Sequence, residues 1–314
     1  MNLLHSYHPS PILISLGPIN IYWYGFFIIL GIVAAFLVTL KLAGYYEIKK
    51  ETIFDLVFYL IIFGIIGARA YEVLLELPYY LAHPLNIFKV WQGGLAIHGA
   101  IIAGIIVIWV FAKKLFSVVI PAEAGIQKSP SPLCTKEATK NSFWLLAAII
   151  APGLALAQAI GRWGNYFNQE LFGRPTDLPW GIPIDILRRP AEYINVGYFH
   201  PTFLYESVGN LIIFIILICL HICLIKKNKF SAFPPKFVAP AKGWSASGGQ
   251  LLTFAYLILY SLLRFFLEFI RVDQTPSFLG LRWPQVISLL IIAVSIVILL
   301  KNLKRRASIN TVII

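Results

Sequence analysis

Charge is what this chain has least of. Only 13% of its 314 residues are Asp, Glu, Lys or Arg, whereas a soluble domain carries about 25%. So little charge excludes a pair of soluble domains, although the length would suit one. Acid is scarcest: 14 acidic against 26 basic residues leave a formal charge of +12. Cysteine is nearly absent too. Cys134, Cys219 and Cys223 lack metal-ligand spacing, so neither a disulfide framework nor a metal is expected. The first 19 residues have no basic stretch and no small-residue cleavage site, so no removable signal peptide is expected. GxSxG and HExxH are missing, Ser207 and Ser261 have no partnered base, and Asp177 and Asp273 stand alone. That argues against a membrane protease and against a lipid synthase built on clustered aspartates. No internal repeat suggests a transporter.

Apolar residues make up 59% of the chain. They gather in seven runs, at about 20–41, 53–75, 95–115, 143–161, 203–225, 250–270 and 284–300, each near the ~20 residues that cross a bilayer. The expectation is an all-α polytopic membrane protein with seven transmembrane helices, one domain over residues 1–314. Of the 26 basic residues, 17 fall in the linkers after the first, third and fifth spans and in the tail. By the positive-inside rule those segments face the cytoplasm, with the N-terminus outside and the C-terminus inside. Topology therefore accounts for the net charge, and nucleic acid is not an expected partner. Two of these linkers, 118–141 and 229–248, are rich in Pro, Ser, Ala, Gly and Lys and read as disordered cytoplasmic insertions.

Eight of the other nine basic residues are arginine: Arg69, Arg162, Arg174, Arg188, Arg189, Arg264, Arg271 and Arg282. Lysine suffices as a topological charge, while a guanidinium fork suits phosphate. Each of these could equally be an interfacial, snorkelling side chain. The densest polar stretch is Gly161–Ile182, GRWGNYFNQELFGRPTDLPWGI, which begins where the fourth run meets water. Arg162 and Asn165 share a face if the helix continues. Residues 162–202 are expected to form an ordered segment on the outer side. Thr202 is a candidate N-cap, and Glu206, one turn inside the membrane, needs an arginine partner. Tyr260, Arg264, Glu268 and Arg271 form one helical stripe, with Arg264 and Glu268 paired at i, i+4. Arg69 and Glu72 are expected to pair at i, i+3. His98, set among glycines in WQGGLAIHGA, carries the side chain that titrates near neutral pH. Tyr24 stands beside Gly25 and could reach a site as readily as it could join an aromatic belt.

WQGGLAIHGA, GRWGNYFNQELFGRPT, HPTFLYE and RFFLEFIR, in that order, resemble the motifs of the bacterial prolipoprotein diacylglyceryl transferases. The resemblance runs from Tyr24 to the seventh span, outside the two insertions. It implies an inner-membrane enzyme that moves the diacylglyceryl group of phosphatidylglycerol onto the lipobox cysteine thiol of a preprolipoprotein. Glycerol 1-phosphate would be the co-product, and no cofactor is implied. It also implies Arg162 and Arg264 as the essential arginines and His98 as the motif histidine, here expected to be the general base. Asn165, Glu170 and Gly173 would shape the headgroup pocket. Glu268 would orient Arg264, and Tyr24 and Tyr260 would face the cavity.

Overall fold

An apolar segment in lipid must satisfy its backbone internally, and a helix does so. The computed structural model describes residues 3–119, 132–230, 246–273 and 275–312. After a short α1 (Leu3–Ser6) come α2 (Trp23–Tyr45), α3 (Lys50–Leu75), α4 (Leu77–Ala82), α5 (Ile97–Val119), α6 (Pro132–Phe167), α7 (Thr202–Phe230), α8 (Ala246–Leu267) and α9 (Trp283–Val312). Among the described residues, seven helices are long and apolar enough to cross a membrane. They are the seven expected spans, shifted by a few residues. The fourth differs most. α6 runs unbroken past Gly161 to Phe167, so the head of the polar stretch is helix. Antiparallel pairs decorate the ends: β1 (Ile12–Leu16) with β2 (Ile19–Tyr22), β3 (Ile182–Pro183) with β4 (Tyr198–Phe199), and β5 (Ser277–Phe278) with β6 (Leu281–Arg282). Within the expected insertions, residues 120–131 and 231–245 lie outside the described residues, and their flanks are helical.

The chain divides into two compact units. One holds Met1–Thr39, Ile150–Leu224 and Gln250–Ile314. Inside it Ala151, Ala155, Ile213, Leu217 and Tyr256 form a buried cluster from α6, α7 and α8. A second cluster, Tyr166, Phe172, Ile182, Ile184, Phe199 and Phe203, folds the α6–α7 connector onto the helix ends. Side chains of this size contribute about 1.5–3 kcal/mol each when fully buried, which lets the connector hold shape without a disulfide. Cys219 and Cys223 are exposed on α7, as ordinary side chains of an apolar run should be.

The other unit holds Leu40–Ile149 and Ile225–Gly249, and its centre is the crossing of α3 and α5. A Cβ on Gly99 would lie 2.0 Å from the Gly67 carbonyl oxygen, and one on Gly67 would lie 2.6 Å from that of Gly99. Gly99 therefore serves a backbone-to-backbone approach of two helices, of the small-residue kind used in membranes. Gly99, one of the glycines set beside His98, is thus buried in the crossing. Arg69 departs from expectation. Its Nε donates to the Ile87 carbonyl at 2.9 Å, its Nη1 to Gly93 and Gly94 at 2.8 Å each, and its Nη2 to Asn86. No ion pair with Glu72 occurs among the described residues. Arg69 is spent on four loop carbonyls, which hold the loop onto α3.

Gly99→Val should cost about 1–3 kcal/mol through overpacking, lowering the thermal midpoint of the detergent-purified protein. Gly64→Val is the control, because a Cβ there meets nothing within 4 Å. Equal midpoints for the two variants would sink the close crossing.

Candidate functional site

The site lies in the first unit and begins at the end of α6. Gln169 has φ 51°. The Gln169 amide donates to the Tyr166 carbonyl at 3.0 Å and the Glu170 amide to Asn165 at 3.1 Å. This pair of bonds is a Schellman motif with glutamine where glycine is usual. A left-handed non-glycine residue costs roughly 1–2 kcal/mol, and the Gln169 side chain supplies compensation. Its Nε2 donates to the Pro9 carbonyl (2.9 Å) and to Asp185 Oδ2 (2.7 Å), and its Oε1 accepts from the Asp185 amide (2.7 Å). Leu171 is also left-handed, at φ 57°. The double reversal throws Glu170 back onto the helix it has left, where Glu170 Oε1 accepts from Asn165 Nδ2 at 2.7 Å and from Asn168 Nδ2 at 3.5 Å. Asn165 Oδ1 in turn accepts from Arg162 Nη1 at 3.3 Å.

Glu206 is the hub. Its carboxylate side chain is 5% exposed and pairs with Arg162 Nε, with Arg264 Nη1 at 3.1 Å and with Arg271 Nη1 at 3.0 Å. Arg264 Nη2 lies 2.9 Å from Glu268 Oε2, as its i, i+4 spacing predicts, and Arg282 Nη1 lies 3.2 Å from Glu268 Oε1. Glu268 is fully buried, and its oxygens sit at ion-pair distance without hydrogen-bond alignment. Arg271 is closed off by Asp273, at 2.7 Å from Nε and 2.6 Å from Nη2. Burial would pull the Arg271 guanidinium down, but Glu206 and Asp273 outweigh it and hold it above its ordinary value.

Exposure separates the arginines. Arg271 is 4% exposed, whereas Arg162, Arg264 and Arg282 keep 21%, 22% and 21%, so the bonds of Arg282 decide its part. Arg282 turns its Nη1 onto the carbonyls of Glu268 and Arg271, both at 3.0 Å, and its Nε onto Thr275 at 2.9 Å. Arg271 and Arg282 are structural. Arg162 and Arg264 keep exposed side-chain surface and, among the described contacts, bond only to other side chains.

The structure thus brings together Arg162, Asn165, Glu170, Arg264 and Glu268. Tyr24 lies against Gly164, where a Cβ would come to 2.9 Å from its ring, and within electrostatic reach of Glu170 and Arg162. Gly173 is wedged between His200, Ile270 and Thr202, its amide donating to the His200 carbonyl at 2.9 Å and its backbone bridging to Arg271. It seats the connector more than it shapes a pocket. Tyr260 stacks on Tyr256 at 5.9 Å and has no bond to the ion-pair network among the described contacts. His98 belongs to the second unit, exposed, with Tyr71 at 5.8 Å.

Two expectations fail locally. α8 ends at Leu267, so Arg271 reaches Glu206 from beyond the helix and not along a continued stripe. Thr202 is the first residue of α7, and its hydroxyl donates to the Leu171 carbonyl instead of capping. The residues that sequence reasoning undervalued are Glu206, Arg271, Arg282 and Asp273. Only the cost of an unpaired intramembrane carboxylate pointed to Glu206.

Fold and site together define a multi-pass membrane protein whose helix ends concentrate guanidinium groups around buried carboxylates. Residues 11–124 and 132–301 match the family model described as prolipoprotein diacylglyceryl transferase, and the chain belongs to that family. It is 39% identical over 289 residues to the phosphatidylglycerol–prolipoprotein diacylglyceryl transferase of Nostoc sp., covering 92% of this chain and 87% of the relative. It is 39% identical over 282 residues to the protein of the same name from Trichormus variabilis, covering 90% and 85%. The namesake from Synechocystis sp. is 38% identical over 285 residues, covering 90% and 86%.

Glu206→Gln should cost about 3–5 kcal/mol, the usual result of removing one partner from a buried ionic cluster. Asp273→Asn should cost far less, because Asp273 is 32% exposed. Denaturation midpoints in detergent would decide, and equal losses would refute Glu206 as hub. A pH effect follows from the connector. His200 Nδ1 lies 3.2 Å from Tyr205 Oη, which accepts from Trp180 Nε1 at 2.9 Å. Burial holds the His200 imidazole below its ordinary 6.5. The unfolded chain therefore takes up a proton first, and stability is lost as pH falls below 6.5. His200→Gln should flatten that acid limb of the midpoint-against-pH curve.

Proposed function

We propose that this chain transfers the diacylglyceryl group of phosphatidylglycerol to the thiol of the lipobox cysteine of a preprolipoprotein. The observation that carries the reading is the pair Arg162 and Arg264, both held by Glu206 yet both partly exposed. The sulfur forms a bond to the terminal glycerol carbon of the diacylglyceryl group. The carbon–oxygen bond to phosphate breaks with its electron pair, and glycerol 1-phosphate leaves. Charge grows on that leaving oxygen, where fixed guanidinium groups stabilise it. Arg162 and Arg264 bind the phosphate, Glu268 and Glu206 orient Arg264, and Asn165 with Glu170 orients Arg162. Tyr24 and Tyr260 face the lipid headgroup, and Gly173 sets the position of the connector beside it. His98 accepts the thiol proton.

The protein resides in the bacterial inner membrane as a single membrane-embedded domain, N-terminus outside, so the motifs face the side where preprolipoprotein signal peptides arrive. Its partners are phosphatidylglycerol, these signal peptides and the surrounding lipids.

The test uses purified protein, phosphatidylglycerol and a lipobox peptide, following glycerol phosphate release and peptide mass, with a Cys→Ala peptide as control. Thiol-dependent release with a diacylglyceryl mass gain is expected. Arg162→Ala and Arg264→Ala should each lower kcat at least about 10²-fold, and unchanged activity in Arg162→Ala would overturn the site. His98→Gln should lower it about 10²- to 10⁴-fold; full turnover would remove His98 from the mechanism.

A further inference from the structure

Arg188, like Arg174, is an exposed arginine of the connector whose setting the assignments above leave unexplained. It ends a 3-10 turn, Ile186–Arg188, and that turn is fixed at its start by the bonds between Gln169 and Asp185. Its neighbour Arg189 is committed to the fold, donating from Nε to the Ile184 carbonyl at 2.8 Å and from Nη1 to Ile194 at 2.9 Å. The Arg188 guanidinium is exposed and has no hydrogen bond or ion pair among the described contacts. It stands at the edge of a groove of about 600 Å³ within the first unit. Ile21, Tyr22, Phe26 and Ile29, from β2 and the start of α2, line the apolar wall, and Tyr24 and Asn168 line the polar end. Phe26 and Ile29 are 42% and 64% exposed on a membrane-spanning helix, so that wall continues into lipid. Arg188 also lines a second cavity, of about 390 Å³, which carries Glu170, Glu192 and Asp273. Those acids repel an anion from that side and leave the groove as the face on which Arg188 can meet one.

We infer that Arg188 is a specificity residue at the mouth of this groove, holding the phosphodiester of an anionic diacyl lipid whose chain lies along Ile21, Phe26 and Ile29. An apolar wall with one unpaired guanidinium at its rim and none along it fits a single-charged amphiphile. Tyr24 and Asn168 share the groove and also border the Arg162–Asn165–Glu170 set, so the headgroup passes from Arg188 to Arg162 without leaving polar contact. This rests on the transferase reading, in which the lipid substrate carries one such phosphodiester.

The experiment is a titration of dioleoylphosphatidylglycerol diluted in dioleoylphosphatidylcholine mixed micelles at fixed lipobox peptide, with the parent enzyme, Arg188→Gln and Arg188→Lys. Inactivity of the parent would count against the transferase reading itself, whereas an active parent isolates Arg188. With Arg188→Gln the KM for the anionic lipid should rise roughly three- to tenfold, the loss expected for one charge-assisted contact. Its kcat should stay within about twofold, and Arg188→Lys should recover part of the KM. Added salt should raise the parent's KM more steeply than the variant's. A KM unchanged in Arg188→Gln overturns the inference, and so does a fall confined to kcat. Weakened inhibition by free glycerol 1-phosphate with an unchanged KM would likewise overturn it, assigning Arg188 to the released phosphate.

Discussion

One carboxylate, Glu206, meets three guanidinium groups in a place nearly closed to water. Removing an ion from water costs several kcal/mol even after relaxation, so neither sign could stay there alone. Because the partners come from residues 162, 264 and 271, the pairing fastens the end of α6, the start of α7 and the end of α8 at one point. Gly173 bridging to Arg271 then ties the connector to the same point. The site is therefore the knot of its unit as well as its chemistry, and changes to its charges act on fold and function together.

Charge counting explains why such a knot suits a phosphate ester. Arg162, Arg264, Arg271 and Arg282 pair directly with Glu206, Glu268 and Asp273, four positive charges against three negative. Glu170 stands one amide away, through Asn165. The excess is small enough to be stable without ligand and has the sign to welcome one anion. The near-neutral cluster also holds its arginines in place, so little reorganisation is needed when charge appears on a leaving oxygen.

The apolar runs made the seven spans legible, because length and hydrophobicity are one-dimensional quantities. The i, i+4 pairing of Arg264 with Glu268 was legible for the same reason. Glu206 as a shared hub was not, since its partners Arg264 and Arg271 lie 58 and 65 residues away in the chain, and no local spacing encodes a three-way meeting. Arg271 was placed on a stripe that assumed the helix went on, but the chain leaves the helix at Leu267 and still arrives at the same carboxylate. Arg69 failed for a different reason. A nearby Glu72 looked like the natural partner, yet four loop carbonyls converge on the guanidinium instead.

The relative importance of the two halves of the reaction follows from magnitudes. A cysteine thiol has a pKa near 8.5, so forming the thiolate at pH 7 costs only about 2 kcal/mol. A fixed donor at a developing oxyanion is worth about 2.7–4 kcal/mol, and the proposed site has two such arginines. Releasing the phosphate is thus the heavier demand. The fold agrees with that ranking: the arginines proposed to meet the phosphate are half-buried and paired with buried carboxylates, while His98 is exposed with a single tilted aromatic neighbour. A protein spends its buried ion pairs where misplacement of charge would be most costly, and here that is the leaving group.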